Sequence, residues 1–380
     1  MNKMIKKFNS NKKKEDLCSL DDVKKLVKRQ TTCKGMCQLD LKNPHLPYPA
    51  KKQEKQTEDP VEWLEQFATL HESNKKLEYV FEKAREGKKC NMMLHRGQRK
   101  LFLSELRFLL EFAKPNDKIV YVGSAPGLHT TYLNNLFGDL KLKWELWDPN
   151  PFSSDLIKQP NTFKIIQKYM TYEEIDKWKK EHQDWGNDFL LISDLRATDG
   201  MTGVEHDKQL MKDNDLQEAM VIQWRPRVAM LKFRFPYPEE NNKHHKSKYL
   251  DGKIWFQSFP NQKSTEGRLI VERPIGRRKY PQKEYDWTDW EEYFFYHNAV
   301  KRRMDFGCQK LFQHLYDGCF DCQSEIRQWQ IYVNRYHNGL TSKILELAID
   351  LNKHVGNLNY TGIWCSLIEK NITCVRIVNN

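Results

Sequence analysis

The stretch Ile119-Val-Tyr-Val-Gly-Ser-Ala-Pro-Gly127 decides the fold. An apolar run of strand type ends there in a loop with two glycines, and a helical pattern begins at about His129. A strand followed at once by a helix is the first half of a βαβ unit. The loop has the spacing Gly-x-x-x-Gly with proline in the fourth place, whereas a dinucleotide-binding turn has Gly-x-Gly-x-x-Gly. A pyrophosphate ligand is therefore not expected at this loop.

Further apolar runs of strand type follow this first one. The first four strands are separated by segments long enough for helical crossovers, which favours parallel pairing. We therefore predict an α/β fold with a doubly wound, mostly parallel sheet and flanking helices. Ligands of such sheets lie at the carboxyl ends of the strands. The later runs cover residues 143–148, 162–166, 189–194, 228–233, 254–259 and 269–272.

Composition sets the class of protein. The chain of 380 residues has 39% hydrophobic side chains, which suffices for a core, and a net charge of +12, which favours an anionic partner. Nucleic acid and an anionic membrane both fit that charge, but no apolar run is long enough for a membrane span and the Lys-rich start is no secretory signal. Nine cysteines, mostly isolated, suit free thiols in a reducing compartment, so we predict a cytoplasmic protein without a metal site.

The pattern predicts three parts of the chain. Residues 1–59 form a basic, partly flexible arm, residues 60–304 hold the α/β domain, and residues 305–380 form a helical extension. The positive charge is unevenly spread, because residues 1–52 and residues 227–283 each carry 14 basic and 5 acidic side chains. The second of these segments also contains candidate catalytic residues, which suits an enzyme that guides a negatively charged strand.

Four charged residues stand where a buried sheet normally carries apolar side chains. Asp194 ends one strand, Lys232 interrupts another, Glu266 precedes the last, and Lys100 lies on the helix before the first. Desolvating an ammonium group is costly unless it is paired. Each residue alone fits a structural ion pair, but four of them at the ligand side of the sheet favour a catalytic group.

Two lysines and two carboxylates in one pocket suit methyl transfer to a ribose hydroxyl, a poor nucleophile until it loses a proton. A lysine acts as a base only when its pKa falls, and burial and a second ammonium group both lower a lysine pKa. We predict that Lys232 is the base and Lys100 the neighbouring cation. Asp194 orients Lys232, and Glu266 holds both lysines in position.

The glycine loop and Asp148 predict a nucleoside cofactor. Gly123 and Gly127 leave room for a ligand beside the backbone. Asp148 ends the second strand, where a carboxylate can accept both hydroxyls of a ribose. An adenosine cofactor without a diphosphate is S-adenosylmethionine. The alternative interpretation is a tight turn followed by an ordinary capping aspartate.

Five stretches, in this order, resemble the family of poxvirus cap-specific mRNA (nucleoside-2′-O-)-methyltransferases, which also serve as poly(A) polymerase regulatory subunits. The resemblance extends over about residues 76–300 and implies a Rossmann-like, S-adenosylmethionine-dependent methyltransferase fold with seven strands. It places the family's Lys-Asp-Lys-Glu tetrad on the four charged residues above. The arm and the tail have no counterpart in it. The five stretches are residues 97–109, 120–127, 192–196, 231–238 and 264–269.

The resemblance also implies two binding sites. Methylated guanine stacks between two aromatic rings and is read by two carboxylates, since cation–π attraction favours a cationic base. The cap and RNA residues implied are Tyr79, Tyr237, Glu239, Glu291, Arg234 and Arg268, with Phe81 as the alternative to Tyr79. The S-adenosylmethionine residues implied are Gln98, Tyr121, Gly123, Ser124, Ala125, Gly127, Asp148 and Met170.

Together these features predict a cap-specific mRNA 2′-O-methyltransferase that acts on the first transcribed nucleotide of capped mRNA. One alternative is a ribose methyltransferase of uncapped RNA. Another is an RNA-binding regulatory or processivity subunit of a polymerase or capping complex. The resemblance implies further partners, namely a poly(A) polymerase catalytic subunit or other capping and transcription proteins. It implies location in the cytoplasm, in a viral factory or a virion.

Overall fold

The structure, a computed structural model, describes residues 56–77, 97–186, 188–197, 201–238, 245–261, 264–312, 316 and 318–355. Most of the predicted basic arm lies outside these ranges, and so do Tyr79, Phe81 and Glu239. The helices are α1 Pro60–Ala68, α2 Gly97–Phe112, α3 Thr130–Leu136, α4 Ser154–Ile157, α5 Tyr172–Glu181, α6 Gly203–Trp224, α7 Trp287–Ala299, α8 Phe320–Tyr336 and α9 Ser342–His354. The strands are β1 Lys118–Val122, β2 Lys143–Trp147, β3 Phe163–Ile166, β4 Leu190–Ser193, β5 Val228–Phe233, β6 Lys246–Leu250, β7 Lys253–Trp255, β8 Gly267–Glu272 and β9 Gln282–Asp286.

Seven strands form one sheet in the order β3-β2-β1-β4-β5-β8-β7. Strands β1 to β5 pair in parallel, and β8 runs antiparallel to both β5 and β7. The predicted α/β class and the mostly parallel seven-stranded sheet are thus confirmed. The sequence analysis missed β6 and β9, which form a separate antiparallel pair. Their Lys- and Glu-rich sequences lack the apolar runs that marked the other strands.

Both faces of the sheet are covered, which explains the continuous apolar runs of its central strands. On β1, Ile119 and Tyr121 join one buried cluster, and Val120 and Val122 join another on the opposite face. Helix α2 packs on the first face, with a buried apolar stripe that includes Phe102, Leu106 and Leu109. No helix among the described residues is long and apolar enough to cross a membrane.

The carboxyl ends of β1 and β4 mark the place where a ligand is expected. From β1 the chain proceeds outward through β2 and β3 on one side and through β4 and β5 on the other. Such a reversal of strand order opens a crevice beyond the strand ends, where ligands of doubly wound sheets bind. The glycine loop follows β1 and Asp194 follows β4, so both border this crevice.

Helix α8 belongs to the same buried core. Trp329 of α8 lies 5.8 Å from Phe102 of α2 between ring centroids. Glu325 of α8 accepts from the guanidinium of Arg99, and both side chains are fully buried. Helix α8 therefore anchors the first turn of α2, the turn that also carries Gln98 and Lys100.

Candidate active site

The four predicted charged residues meet beyond the ends of β4 and β5. The Nζ atom of Lys100 lies 2.6 Å from Oε1 of Glu266. The Nζ atom of Lys232 lies 3.4 Å from Oδ2 of Asp194 and 3.6 Å from Oε2 of Glu266. Glu266 thus lies between the two lysines.

Arg268 is a fifth member of this cluster. Its guanidinium lies 2.7 Å from Oδ1 of Asp194 and 3.6 Å from Oε1 of Glu266, and the side chain is 2% exposed. Arg268 was expected to lie near the transcript. That expectation does not match its position, because its donors are directed at buried carboxylates instead of solvent.

Gln257 forms hydrogen bonds with both Glu266 and Arg268. With its amide nitrogen oriented toward Glu266, it donates to Oε1 at 3.0 Å, and its oxygen accepts from Nε of Arg268 at 2.7 Å. This orientation is assigned from the hydrogen-bond network, because it gives both amide atoms suitable partners. Gln257 is therefore a positioning residue for Glu266 and Arg268.

The charges in the cluster determine its protonation. Lys100, Lys232 and Arg268 oppose Asp194 and Glu266, so the cluster becomes neutral when one lysine loses its proton. Burial lowers the pKa of Lys100 more than Glu266 raises it. Burial raises the pKa of each carboxyl, but Lys100, Lys232 and Arg268 together hold the pKa of Glu266 well below its usual range, and Lys232 and Arg268 do the same more weakly for Asp194. Both carboxylates therefore remain ionised at neutral pH.

The glycine loop touches the cluster through its backbone. Gly123 has a φ of +80°, and a Cβ atom there would lie 2.8 Å from the carbonyl carbon of Asp194. A Cβ atom on Gly127, where φ is +64°, would lie 2.5 Å from Cδ1 of Leu156. The sequence analysis attributed these glycines to ligand access. The structure gives another reason, since protein atoms occupy the space beside both.

Asp148, the predicted ribose-binding residue, lies beside this loop. It is 8% exposed. Its Oδ2 accepts from the amide of Ala125 at 3.1 Å, and its Oδ1 accepts from the amide of Asn150 at 2.9 Å. Oδ1 also accepts from the side-chain amide of Asn150 at 3.0 Å. Because a carboxylate oxygen has two lone pairs, Oδ2 alone retains acceptor capacity for a ligand. Asp148 thus links β2 to the glycine loop.

Gln98 and Tyr121 belong to one buried network. Gln98 bonds Nδ1 of His129 at 2.9 Å, Nε2 of His129 bonds Glu105 at 2.9 Å, and the Tyr121 hydroxyl donates to Glu105 at 2.7 Å. Burial raises the pKa of Tyr121 well above its ordinary value, and the Glu105 charge adds to the effect. The network ties α2 to β1 and to the start of α3. Met170, the expected neighbour of the adenine, is buried on the other face of the sheet, with Val120 and Val122.

Buried hydroxyl groups surround the glycine loop. Within the described ranges, the hydroxyls of Thr130, Thr131, Ser153 and Ser193 have no hydrogen-bond partner. Buried polar atoms without partners are uncommon and call for an explanation such as a bound ligand. Together with Asp148, they give the loop a donor and acceptor set suited to a polar nucleoside. No group of three or more possible metal ligands occurs among the described residues.

The predicted cap-reading residues lie on the loop after β5 and on α7. The guanidinium of Arg234 lies 5.4 Å from the ring centroid of Tyr237, within cation–π distance. Burial raises the pKa of Tyr237, and the negative charge of Glu291 raises it further. Burial also raises the pKa of Glu291 to about 7. The other predicted ring and acid, Tyr79 and Glu239, lie outside the described residues.

The sequence analysis missed the roles of Arg268, Gln257 and the Glu105–His129 pair. A sequence signal existed for Glu105 and His129, because both are polar residues within apolar or glycine-rich stretches. Nothing comparable marked Arg268. Its contact with Asp194 depends on the pairing of β5 with β8, which a single sequence does not specify.

This chain is similar to one protein family and to named poxvirus proteins. A family model described as "Poly A polymerase regulatory subunit" matches residues 64–336. The cap-specific mRNA (nucleoside-2′-O-)-methyltransferase of Myxoma virus (strain Lausanne) is 30% identical over 253 residues, which cover 64% of this chain and 72% of that protein. The protein of the same name from Fowlpox virus (strain NVSL) is 35% identical over 155 residues, which cover 38% and 48% of the two chains. A crystal structure described as a ribosomal RNA methyltransferase from Plasmodium falciparum covers 48% of this chain and 100% of its own at 14% identity, but its TM-score of 0.33 is too low to bear on fold or function.

Proposed function

The chain belongs to the family of poly(A) polymerase regulatory subunits, and from that membership we propose that it is a cap-specific mRNA 2′-O-methyltransferase. It transfers a methyl group from S-adenosylmethionine to the ribose 2′-OH of the first transcribed nucleotide. The poxvirus relatives carry the name of this activity. The observation that carries the proposal for this chain is the buried cluster of Lys100, Asp194, Lys232, Glu266 and Arg268.

Lys232 is the proposed general base. Its amine faces both carboxylates at 3.4 and 3.6 Å, and its side chain is 16% exposed, more than that of Lys100 at 10%. A substrate hydroxyl therefore has easier access to Lys232. Lys100 and Arg268 keep the carboxylates ionised, and Asp194 and Glu266 hold Lys232 in place.

S-adenosylmethionine is the proposed methyl donor, and its bound sulfonium supplies the methyl group. Asp148 would accept from the ribose hydroxyls, and the glycine loop would contact the adenosine. Gln98 and Tyr121 are held in place through His129 and Glu105. They would fix the position of α2 relative to β1 beside the cofactor. The hydroxyl groups without partners around the loop support this assignment.

The cap is the proposed source of substrate selectivity. Tyr237 would stack on methylated guanine, and Glu291 would accept from the guanine donors. Tyr79 and Glu239 are proposed as the second ring and the second acid by resemblance alone. Arg234, beside Tyr237, is proposed to contact the transcript.

A methyltransferase assay tests this proposal. Labelled methyl transfer is compared for RNA with a methylated cap, an unmethylated cap and no cap, and the modified nucleotide is mapped by nuclease digestion. We expect labelling of the first transcribed nucleotide of capped RNA. Lys232→Met should abolish transfer but retain RNA binding, whereas Lys177→Met, on an exposed helix face, should retain full activity. Equal activity on uncapped RNA would instead indicate a ribose methyltransferase without cap selectivity.

A second function, as a regulatory subunit of a poly(A) polymerase, is favoured by the description of the matching family. The partner would be a polymerase catalytic subunit, in the cytoplasm, a viral factory or a virion. Copurification with polyadenylating activity from cells that express the tagged chain tests this role. A chain that isolates without that activity would exclude it.

A further inference from the structure

A cavity lies beside helix α7, in contact with residues 73–75. Its volume is about 280 Å³. Tyr293 and Tyr296 line one wall and Asn74 and Lys75 another. Glu291, the proposed cap reader, does not line it. Among the described residues, the lining also contains neither Tyr237 nor any member of the catalytic cluster.

The cavity contains a buried lysine without an anionic partner. Lys301 lies just after the end of α7, four residues beyond His297, and is 8% exposed. Within the described ranges, its ammonium group has no carboxylate within 4.0 Å, and its closest aromatic contact is the ring of Phe256 at 4.9 Å. A buried ammonium group is usually paired, because desolvation of an unpaired one is costly.

The walls of the cavity combine positive charge with aromatic rings. Lys75 and Lys301 are the charged side chains among its described lining, which contains no Asp or Glu. The ring of His297 is stacked on Phe256, with centroids 4.2 Å apart, and meets Phe320 edge-on. This packing fixes the floor of the cavity, and the two tyrosines remain partly exposed.

Burial lowers the pKa of Lys301 to about 7. Near neutral pH the amine is thus about half protonated in the free protein. An anion in the cavity would stabilise the ammonium form. The absence of a carboxylate beside Lys301 among the described residues indicates that a ligand supplies the counter-charge.

We propose that this cavity binds a phosphorylated nucleotide, with Lys301 contacting a phosphate and the tyrosine rings contacting the base. Lysine binds phosphate as a point charge, and aromatic rings bind bases of any sequence by stacking. The volume is near the lower limit for ligand pockets and suits one mononucleotide. The nucleotide comes either from solution or from a segment of RNA, and both present the same phosphate.

Protection of Lys301 from acetylation tests the proposal directly. The full chain is treated with limiting acetic anhydride, and acetylation of each lysine is followed by mass spectrometry. We expect at least tenfold slower acetylation of Lys301 with saturating AMP and no change at exposed Lys253. Protection by a 5′-phosphorylated oligonucleotide but not by AMP would support the phosphate site and identify RNA as its source. The proposal would be overturned if adenosine protected Lys301 as strongly as AMP does. It would also be overturned if none of these ligands protected Lys301.

Lys301→Met provides the second measurement. Removing an unpaired buried charge should leave the thermal midpoint unchanged or raise it, so the variant is expected to fold. AMP should bind it at least tenfold more weakly than it binds the wild type or Lys253→Met, as measured by calorimetry. Methyl transfer should be unaffected, because Lys301 lies outside the catalytic cluster. Equal AMP affinity of the two variants would contradict the proposal even if the chain proves to be a methyltransferase.

Discussion

Lys232 and Arg268 face each other directly across the antiparallel pair of β5 and β8. Like charges opposite each other destabilise a sheet. Here Asp194 and Glu266 lie within ion-pair distance of both cations. The pairing of these two strands, rather than any single motif, therefore creates a site in which carboxylates are held ionised beside a lysine.

Replacement of Asp194 tests this dependence. Asp194→Asn leaves Lys232 and Arg268 with one counter-charge fewer in a buried site, and breaking a buried pair costs about 3–5 kcal/mol. Urea unfolding should show a loss of stability in that range, together with loss of methyl transfer. Asp188→Asn is the matched control, because Asp188 also pairs with an arginine but its side chain is 72% exposed. Asp188→Asn should lower the free energy of unfolding by about 1 kcal/mol or less. Similar losses for the two variants would contradict the role given to burial.

Gly123 is expected to be indispensable for a steric reason. Gly123→Ala places a Cβ atom 2.8 Å from the Asp194 backbone at a φ of +80°. Steric overlap and backbone strain should together cost about 3 kcal/mol and displace the end of β4. We expect loss of S-adenosylmethionine binding by calorimetry.

Gly276 offers the control for Gly123. Its φ of +69° is similar, but nothing lies within 4 Å of a Cβ atom there. Gly276→Ala should therefore cost only the strain, about 1 kcal/mol, and retain cofactor binding. If both variants lose cofactor binding, the contact with Asp194 is not the cause.

The sheet could be predicted from the sequence because its strands are buried on both faces and appear as continuous apolar runs. Parallel pairing of β4 and β5 accounts for the predicted proximity of Asp194 and Lys232, since the carboxyl ends of parallel strands are neighbours. Glu266 precedes β8 and lies at the same edge because β8 runs antiparallel to β5, and Lys100 lies on helix α2. The position of Arg268 in the cluster could not be predicted from the sequence. The β5–β8 register that places this residue opposite Lys232 is set by tertiary packing, and a strand that is buried on both faces does not identify its partner from its sequence.

Cap binding should depend on pH through Glu291. A glutamate with a pKa of about 7 is largely protonated below that pH, and a protonated carboxyl accepts poorly from the guanine donors. Affinity for 7-methyl-GTP should therefore fall by up to tenfold per unit as pH decreases from 7 to 5. Fluorescence titration measures it. Glu291→Gln should bind more weakly at pH 8 and lose this dependence; an unchanged pH profile in the variant would exclude Glu291 as its source.

The same pKa shift predicts an effect on stability. A carboxyl whose folded pKa is raised contributes stability below its unfolded pKa of about 4.5, and that contribution is lost as pH rises through about 7. Glu291→Gln removes the titrating group. The unfolding midpoint of the variant should therefore exceed that of the wild type at pH 8, and the difference should shrink toward pH 5. A difference that is constant with pH would show that Glu291 does not titrate in this range.

The buried pair of Arg99 and Glu325 links helix α8 to the active site. Arg99 precedes Lys100 on α2, so displacing its partner helix should also displace that lysine. Arg99→Met leaves Glu325 as an uncompensated buried charge and should cost about 3–5 kcal/mol in urea unfolding, with reduced methyl transfer. Replacing both residues, as Arg99→Met with Glu325→Leu, removes both charges and should recover much of that stability. If α8 were only an appendage, the single replacement would leave both stability and activity near the wild-type values, because neither the core nor Lys100 would depend on this contact.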